Sequence, residues 1–296
     1  MSNEIENFRS GDAVIVGRPN AGKSTLFNAL VGERLAIVTP KPQTTRIPLL
    51  GVVTRPASQV VFWDTPGLLD PTYRLQEVMR SHIVRRLREA DVVVGLLDAH
   101  ALDLDEGLRA ALSEVKVPTI VALNKIDLVP AERIGPAITR VREAVRADEI
   151  LPISALTGRG LPELMDAVER RLPFGPRLYP DDTLTDQPER FFVAELIRET
   201  AFDLLKEELP YAIAVTVEEF KEREAKTYVR ADVCVERASQ KGIVIGARGK
   251  MLKRIGSEAR RRIETFLERP VYLELWVKVR ENWRKKEGDL KDFGYV

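Results

Sequence analysis

Short apolar runs at residues 13–16, 60–63, 92–97, 119–123 and 150–153 punctuate the first half of the chain. Runs of four to six such residues read as strands buried on both faces. The stretches between them carry apolar positions at helical spacing and predict helices over 75–88, 106–115, 131–146 and 162–172. Pro162, following Leu161, stands in the first turn of the last of these, where proline is favoured. Strands alternating with helices imply a mainly parallel sheet with helices on both faces. Residues 47–54 break the alternation, because no helix follows them. They are expected as an antiparallel edge strand beside residues 60–63.

The texture then changes. Residues 172–190 contain Pro173, Pro176, Pro180 and Pro188, with glycine and aspartate between them, the composition of a linker of limited flexibility. Beyond it the pattern predicts a helix over 191–208, strands over 211–218 and 226–237, two helices of which the second spans 250–267, and a strand over 271–279. The division expected is a first domain at 10–175, a linker at 176–190 and a second domain at 191–296.

A length of 296 residues suits two domains of ordinary size, and 44% hydrophobic with 31% charged residues excludes a disordered chain. No apolar run approaches the roughly 18–20 residues of a membrane helix, and the first twelve residues lack a leader pattern. The lone cysteine, Cys234, rules out an intramolecular disulfide or a cysteine zinc site and reads as core filler in a strand. A cytoplasmic protein is expected. The net charge of +1 hides a local imbalance: residues 237–262 hold nine basic residues against one acid, Glu258. That stretch is a polyanion footprint or a solvated helix face, and charge alone does not choose.

Candidate chemistry starts at Gly17-Arg18-Pro19-Asn20-Ala21-Gly22-Lys23-Ser24, a GxxxxGK[ST] pattern between a strand and a helix. Its glycines let successive N–H groups converge on phosphate oxygens. Lys23 would bridge the outer phosphates and Ser24 would bind Mg²⁺, with Thr25 beside it in the same site. Asp64-Thr65-Pro66-Gly67 ends an apolar strand. There Asp64 can hold Mg²⁺ through water, and the Gly67 N–H can approach a γ-phosphate with no Cβ in the way. Release of such a loop on phosphate loss makes a switch. Pro42-Gln43-Thr44-Thr45-Arg46 lies between, and Thr45 is favoured over Thr44 to complete the Mg²⁺ shell.

Asn124-Lys125-Ile126-Asp127 follows a strand. A carboxylate accepts two hydrogen bonds from the N1–H and N2–H₂ edge of guanine, and adenine would leave Asp127 unpaired. Asn124 can tie loops together, and the Lys125 stem can pack along the ring. Ser154-Ala155-Leu156 can present a backbone N–H to the guanine O6. Leu68 stands where Ras-type switches place a water-orienting glutamine and has no polar group, so slow intrinsic hydrolysis or another device is expected. The residues expected to serve catalysis are Lys23, Asn20, Thr45 and Gly67. His82 and His100 lack neighbours at metal-ligand spacing.

In the second half, Gly246-Ala247-Arg248-Gly249 is a G-x-x-G turn preceded by an apolar run and followed by a helix. Two glycines let backbone grip sugar–phosphate while bases stand in a groove alongside. Lys241, Gly242, Arg248, Lys250, Lys253 and Arg254 surround the turn and would supply phosphate contacts. At least two of Ile243, Val244 and Ile245 are expected in the core.

The phrases GRPNAGKSTLFNAL, PQTTR and DTPG resemble the Era branch of bacterial GTPases, in the TrmE-Era-EngA-YihA-Septin-like class. So do ELPYAIAV, VERASQKGIVIGARGKMLKRIG and LWVKVRENWR, and the likeness runs from about Gly11 to Tyr295. It implies an α/β P-loop GTPase domain followed by a smaller α+β KH domain of type II, with GTP and Mg²⁺ as substrate and cofactor. It also implies K⁺ held through Asn20, and recognition of single-stranded small-subunit ribosomal RNA near its 3′ end during assembly of the 30S subunit. Peripheral contact with the inner membrane is implied too, and a monomer is expected. Ala247-Arg248 departs from a turn that is often richer in lysine and glycine. Two other readings stay open: a membrane- or protein-partner switch whose KH fold binds no RNA, and a P-loop phosphotransferase.

Overall fold

The structure, a computed structural model, describes residues 7–102 and 106–296. Residues 1–6, half of the stretch read for a leader pattern, lie outside the described residues. The chain divides into two compact units: the first runs up to Pro71 and resumes over Met79–Asp186, and the second comprises Thr72–Val78 and Gln187–Val296.

The first unit contains β1 (Arg9–Gly17), α1 (Lys23–Val31), β2 (Leu49–Arg55) and β3 (Ser58–Asp64). After α2 (Arg74–Glu89), which begins in the segment grouped with the second unit, come β4 (Val92–Asp98), α3 (Glu106–Ser113) and β5 (Thr119–Asn124). The order closes with α4 (Ala131–Ala144), β6 (Glu149–Pro152) and α5 (Leu161–Glu169). The six-stranded sheet runs β2-β3-β1-β4-β5-β6. β2 alone is antiparallel and lies at the edge, Leu49 opposite Asp64, as its missing helix implied. Alternate residues face opposite sides of a strand. Val14, Val16, Val93, Val121 and Leu123 therefore meet Ile83, Leu108, Leu112 and Val141 of α2, α3 and α4 on one face. Gly51 faces Phe27 and Val31 of α1 on the other. α4 stops short of the expected residue 146 because Val145 turns extended, its side chain buried.

The proline-rich stretch is fastened to this unit as far as residue 184. Gln59, fully buried, accepts the N–H groups of Leu178 and Tyr179 at 2.7 and 2.9 Å and donates to the Tyr179 carbonyl at 2.9 Å. The Val52 N–H on the edge strand donates to the Leu184 carbonyl at 2.8 Å. Buried polar groups need such partners, and Gln59 finds them all in backbone and in Thr54.

The second unit contains α6 (Glu189–Leu204), β7 (Ala214–Lys221), β8 (Thr227–Val235), α7 (Ala238–Ile245), α8 (Lys250–Leu267), β9 (Val271–Val279) and α9 (Glu287–Asp292). Its sheet is β7-β8-β9, with β7 antiparallel and β9 parallel to β8. Val193, Ile197 and Ala201 of α6 meet Ile255, Ala259 and Ile263 of α8 over Val229, Ala231 and Val233. Cys234 is buried in β8. The strand expected from residue 211 begins at Ala214, because Pro210–Ala212 form a 3-10 turn. The buried Trp283 indole donates to the Ala212 carbonyl at 2.9 Å and fixes that turn. α9 went unforeseen: a single turn and a half, it buries only Leu290.

Candidate active site and nucleic-acid interface

The C-terminal ends of the parallel strands bring the nucleotide motifs together, the position where open α/β sheets hold ligands. A cleft of about 470 Å³ is lined by Pro19, Asn20, residues 22–25, residues 37–40, residues 43–45, Gly67 and Lys125. Gly22 caps α1 at φ 100, a left-handed backbone that lets the P-loop fold over the helix start. Buried Lys23 turns its ammonium onto the carbonyls of Gly17 and Arg18 at 3.1 and 2.9 Å. Burial pulls Lys23 down to about 8, against the opposing charge of Asp64.

Three residues expected around Mg²⁺ converge. Ser24 Oγ and Thr45 Oγ1 donate to Asp64 Oδ2 at 2.8 and 2.9 Å, and the two hydroxyls lie 3.0 Å apart. Asp64 Oδ1 is buried with no hydrogen-bond partner. Burial pushes the Asp64 carboxyl up, while Lys23, Ser24 and Thr45 pull against it. Two hydroxyls and an orphaned carboxylate oxygen are hard donors that suit Mg²⁺. Thr65 is buried and donates to the Ile15 carbonyl at 2.7 Å, which ties the loop after β3 to β1. A Cβ on Gly67 would stand 2.8 Å from the Pro19 backbone nitrogen, so only glycine lets the loop lie this close. Leu68 donates its N–H to the Gly17 carbonyl at 3.0 Å.

At the base-reading end, Asn124 does tie loops: its amide donates to the Ala21 carbonyl at 2.8 Å and accepts the Ala155 N–H at 2.9 Å. Lys125 donates to the Asn20 carbonyl at 2.7 Å and to Asp98 Oδ2 at 2.6 Å. Ile126 belongs to the core, and Asp127 stands exposed in the 3-10 turn Ile126–Leu128. Of the three loop amides, Ser154 N–H bonds the Arg159 carbonyl and Ala155 N–H is held by Asn124. The Leu156 N–H has no partner among the described residues, on a side chain 79% exposed.

Sequence reasoning missed the apolar rim at Ile37 and Val38, shaped by Asn28, whose amide accepts the N–H groups of Leu35 and Ala36. It also missed Asp98. An acid closing a strand level with Asn124 was the available signal.

In the second unit the G-x-x-G turn lies between α7 and α8. Gly246 takes φ 70 and Gly249 φ 74, with Arg248 also left-handed at 52. A Cβ on Gly246 would stand 2.7 Å from Met251 Cβ. Ala247, Arg248, Lys250 and Lys253 are exposed, Lys241 and Gly249 half-buried, and Gly242 faces open space. Arg254 is paired with Glu258 at 3.0 Å, Arg260 with Glu264, and Arg262 with Glu199 and Asp203. Six of the nine basic residues, Arg237, Lys241, Arg248, Lys250, Lys253 and Arg261, have no acid partner among these ion pairs, and Lys241, Arg248, Lys250 and Lys253 are the ones nearest the turn in sequence. Val244 and Ile245 join the core while Ile243 is 58% exposed beside the turn.

A P-loop with its switch threonine, a D-x-x-G loop and an N-K-x-D turn at one sheet edge, joined to a fold that carries a G-x-x-G turn, defines a GTPase with a KH domain. A family model described as a 50S ribosome-binding GTPase matches residues 12–125, and one described as a KH domain matches 208–284. GTPase Era of Halothermothrix orenii is 44% identical over 292 residues, covering 98% of this chain and 99% of its own. GTPase Era of Geotalea uraniireducens is 45% identical over 293 residues, covering 98% and 99%. Among solved structures, Era in complex with MgGDPNP and nucleotides 1506–1542 of 16S ribosomal RNA matches at TM-score 0.93, 39% identity, and 98% and 99% coverage. A point variant of Aquifex aeolicus Era bound to GDP·AlF₄⁻ gives 0.93 and 39%, with 98% and 100% coverage. The chain belongs to the Era family and is a GTPase.

Proposed function

We propose that the chain is a GTP-driven switch that binds small-subunit ribosomal RNA near its 3′ end through the G-x-x-G turn and assists assembly of the 30S subunit. The observation that carries this is the pairing, in one chain, of a preformed nucleotide site with an exposed cationic turn. It is supported by the similarity to an Era captured with a GTP analogue and 16S nucleotides 1506–1542. In this reading residues 17–25 cradle the phosphates, and Lys23 exchanges the Gly17 and Arg18 carbonyls for phosphate oxygens. Ser24, Thr45 and Asp64 would hold Mg²⁺, which supplies positive charge against the phosphates. Asp127 reads the guanine edge, the Leu156 N–H is the amide available to O6, and Lys125 packs along the ring. Thr65 and Pro66 shape the loop that presents the Gly67 N–H.

Leu68 supplies no water-orienting group, and the exposed Asn20 amide is the donor at hand for K⁺ beside the phosphates. Turnover in KCl should exceed that in NaCl, and Asn20→Asp should abolish the difference; equal wild-type rates in both salts would end the K⁺ assignment. Any membrane contact would be peripheral, since no helix among the described residues is long and apolar enough to cross a bilayer.

The test of the whole reading is binding of an RNA matching the 16S 3′ end, measured with GDP and with a non-hydrolysable GTP analogue. Coupling demands a difference between the two states. Matching affinities would refute the switch, and absence of binding would refute the RNA assignment.

A further inference from the structure

Asp98 closes β4, in register with Asn124 at the end of β5. Its Oδ1 accepts the N–H groups of His100 and Ala101 at 2.9 and 3.3 Å, and its Oδ2 accepts the Lys125 ammonium at 2.6 Å. The same ammonium donates to the Asn20 carbonyl at 2.7 Å. Lys125 and Asn20 both sit in the left-handed region, at φ 65 and 63. Side chains with a Cβ rarely adopt that backbone, and it persists where surrounding contacts over-determine it. One ammonium thus bridges two strained residues, and Asp98 fixes that ammonium. The pair is sheltered, with the Lys125 and Asp98 side chains 30% and 20% exposed, so solvent screens it less than a surface pair. Burial alone would raise the Asp98 carboxyl, but Lys125 and the two N–H groups outweigh it and hold the carboxyl below its usual value.

We propose that Asp98 is a positioning residue for the nucleotide site: it holds Lys125 beside the base position and, through Lys125, braces the P-loop at Asn20, and so sets how long nucleotide stays bound. The inference rests on the reading of Lys125 and Asp127 as the base-contacting pair. Asp98 acts through a side chain that packs on any purine ring, whereas Asp127 acts on the donors peculiar to guanine. Losing Asp98 should therefore weaken guanosine and inosine nucleotides by one common factor, and losing Asp127 should not.

Release of a fluorescent GDP from the full chain tests this by stopped flow. Asp98→Asn, which keeps the shape and loses the charge, should release it about tenfold faster, the effect of removing a charge-assisted hydrogen bond. Its ratio of GDP to IDP affinity should match the wild type. Asp98→Glu, which keeps the charge, should restore slow release in part. The double variant Asp98→Asn/Lys125→Ala should release no faster than Lys125→Ala alone, because the first residue acts through the second. Wild-type release from Asp98→Asn, additive effects in the double variant, or a changed GDP to IDP ratio would each overturn the proposal. Failure of the wild type to bind GDP would instead bring down the site reading beneath it, before any variant is compared.

Discussion

The two ligand-facing turns of this chain both use left-handed glycines, Gly22 in one and Gly246 with Gly249 in the other, yet their surroundings are opposite. Around Gly22 the functional groups are buried or half-buried and already bonded within the protein: Lys23 to two carbonyls, Ser24 and Thr45 to Asp64, Asn124 across two loops. Around Gly249 the backbone is held but Arg248, Lys250 and Lys253 extend into solvent. The first site is pre-organised, so its ligand inherits a low-dielectric cradle and geometry decides what binds. The second presents solvent-exposed charges around its turn, so affinity there should follow ionic strength.

The largest expected effect sharpens this at the base-reading end. Asp127→Asn should cost GTP affinity roughly a thousandfold while raising that for xanthosine triphosphate, because the carboxylate is the group that pairs with the N1–H and N2–H₂ donors of guanine. Competition binding with the two nucleotides measures it, and RNA binding should stay unchanged. Next, Gly249→Asp should lower RNA affinity on the order of a hundredfold, since it sets a negative charge on a left-handed residue facing phosphate. Filter binding reads it, with GTP affinity as the internal control.

Lys23 provides a third, pH-dependent contrast. Its value falls from 10.5 in a free chain to about 8 in the fold. The folded protein therefore holds fewer protons than the unfolded chain between those values. The cost of burying the charge is fully present below about 8 and fades as pH rises toward 10.5. Phosphates favour the charged form, so nucleotide binding above pH 8 should take up about one proton and weaken by at most about tenfold per pH unit. Calorimetry in two buffers of different ionisation enthalpy counts that proton. The smallest effect is Lys250→Ala, expected to lower RNA affinity a few-fold at moderate salt and reduce the salt slope by about one. An equal effect on nucleotide affinity would erase the contrast between the two turns.

Much of this was legible in the sequence where a signal is local. The short, valine-rich run at residues 92–97 reads as a buried strand from its length and β-branching, and 17–24 carries its own chemistry in its spacing. Residues whose role depends on a distant partner were silent. Asp98 matters because β4 and β5 end level, and Gln59 because the chain returns to it 120 positions later. The same holds for Ala212, whose turn is set by an indole far along the chain, and for Ala155, whose amide is claimed by Asn124. Basic residues read as a patch were in part neutralised by acids on the next helical turn, as Arg254 is by Glu258.

The stitching of the proline-rich stretch to Gln59 and Val52 also fixes where the catalytic half can be cut free. A fragment ending at residue 175 would strand a buried amide side chain and lay bare an edge-strand N–H, inviting self-association. One that runs past Leu184, for example to Asp186, keeps both satisfied and should stay monodisperse.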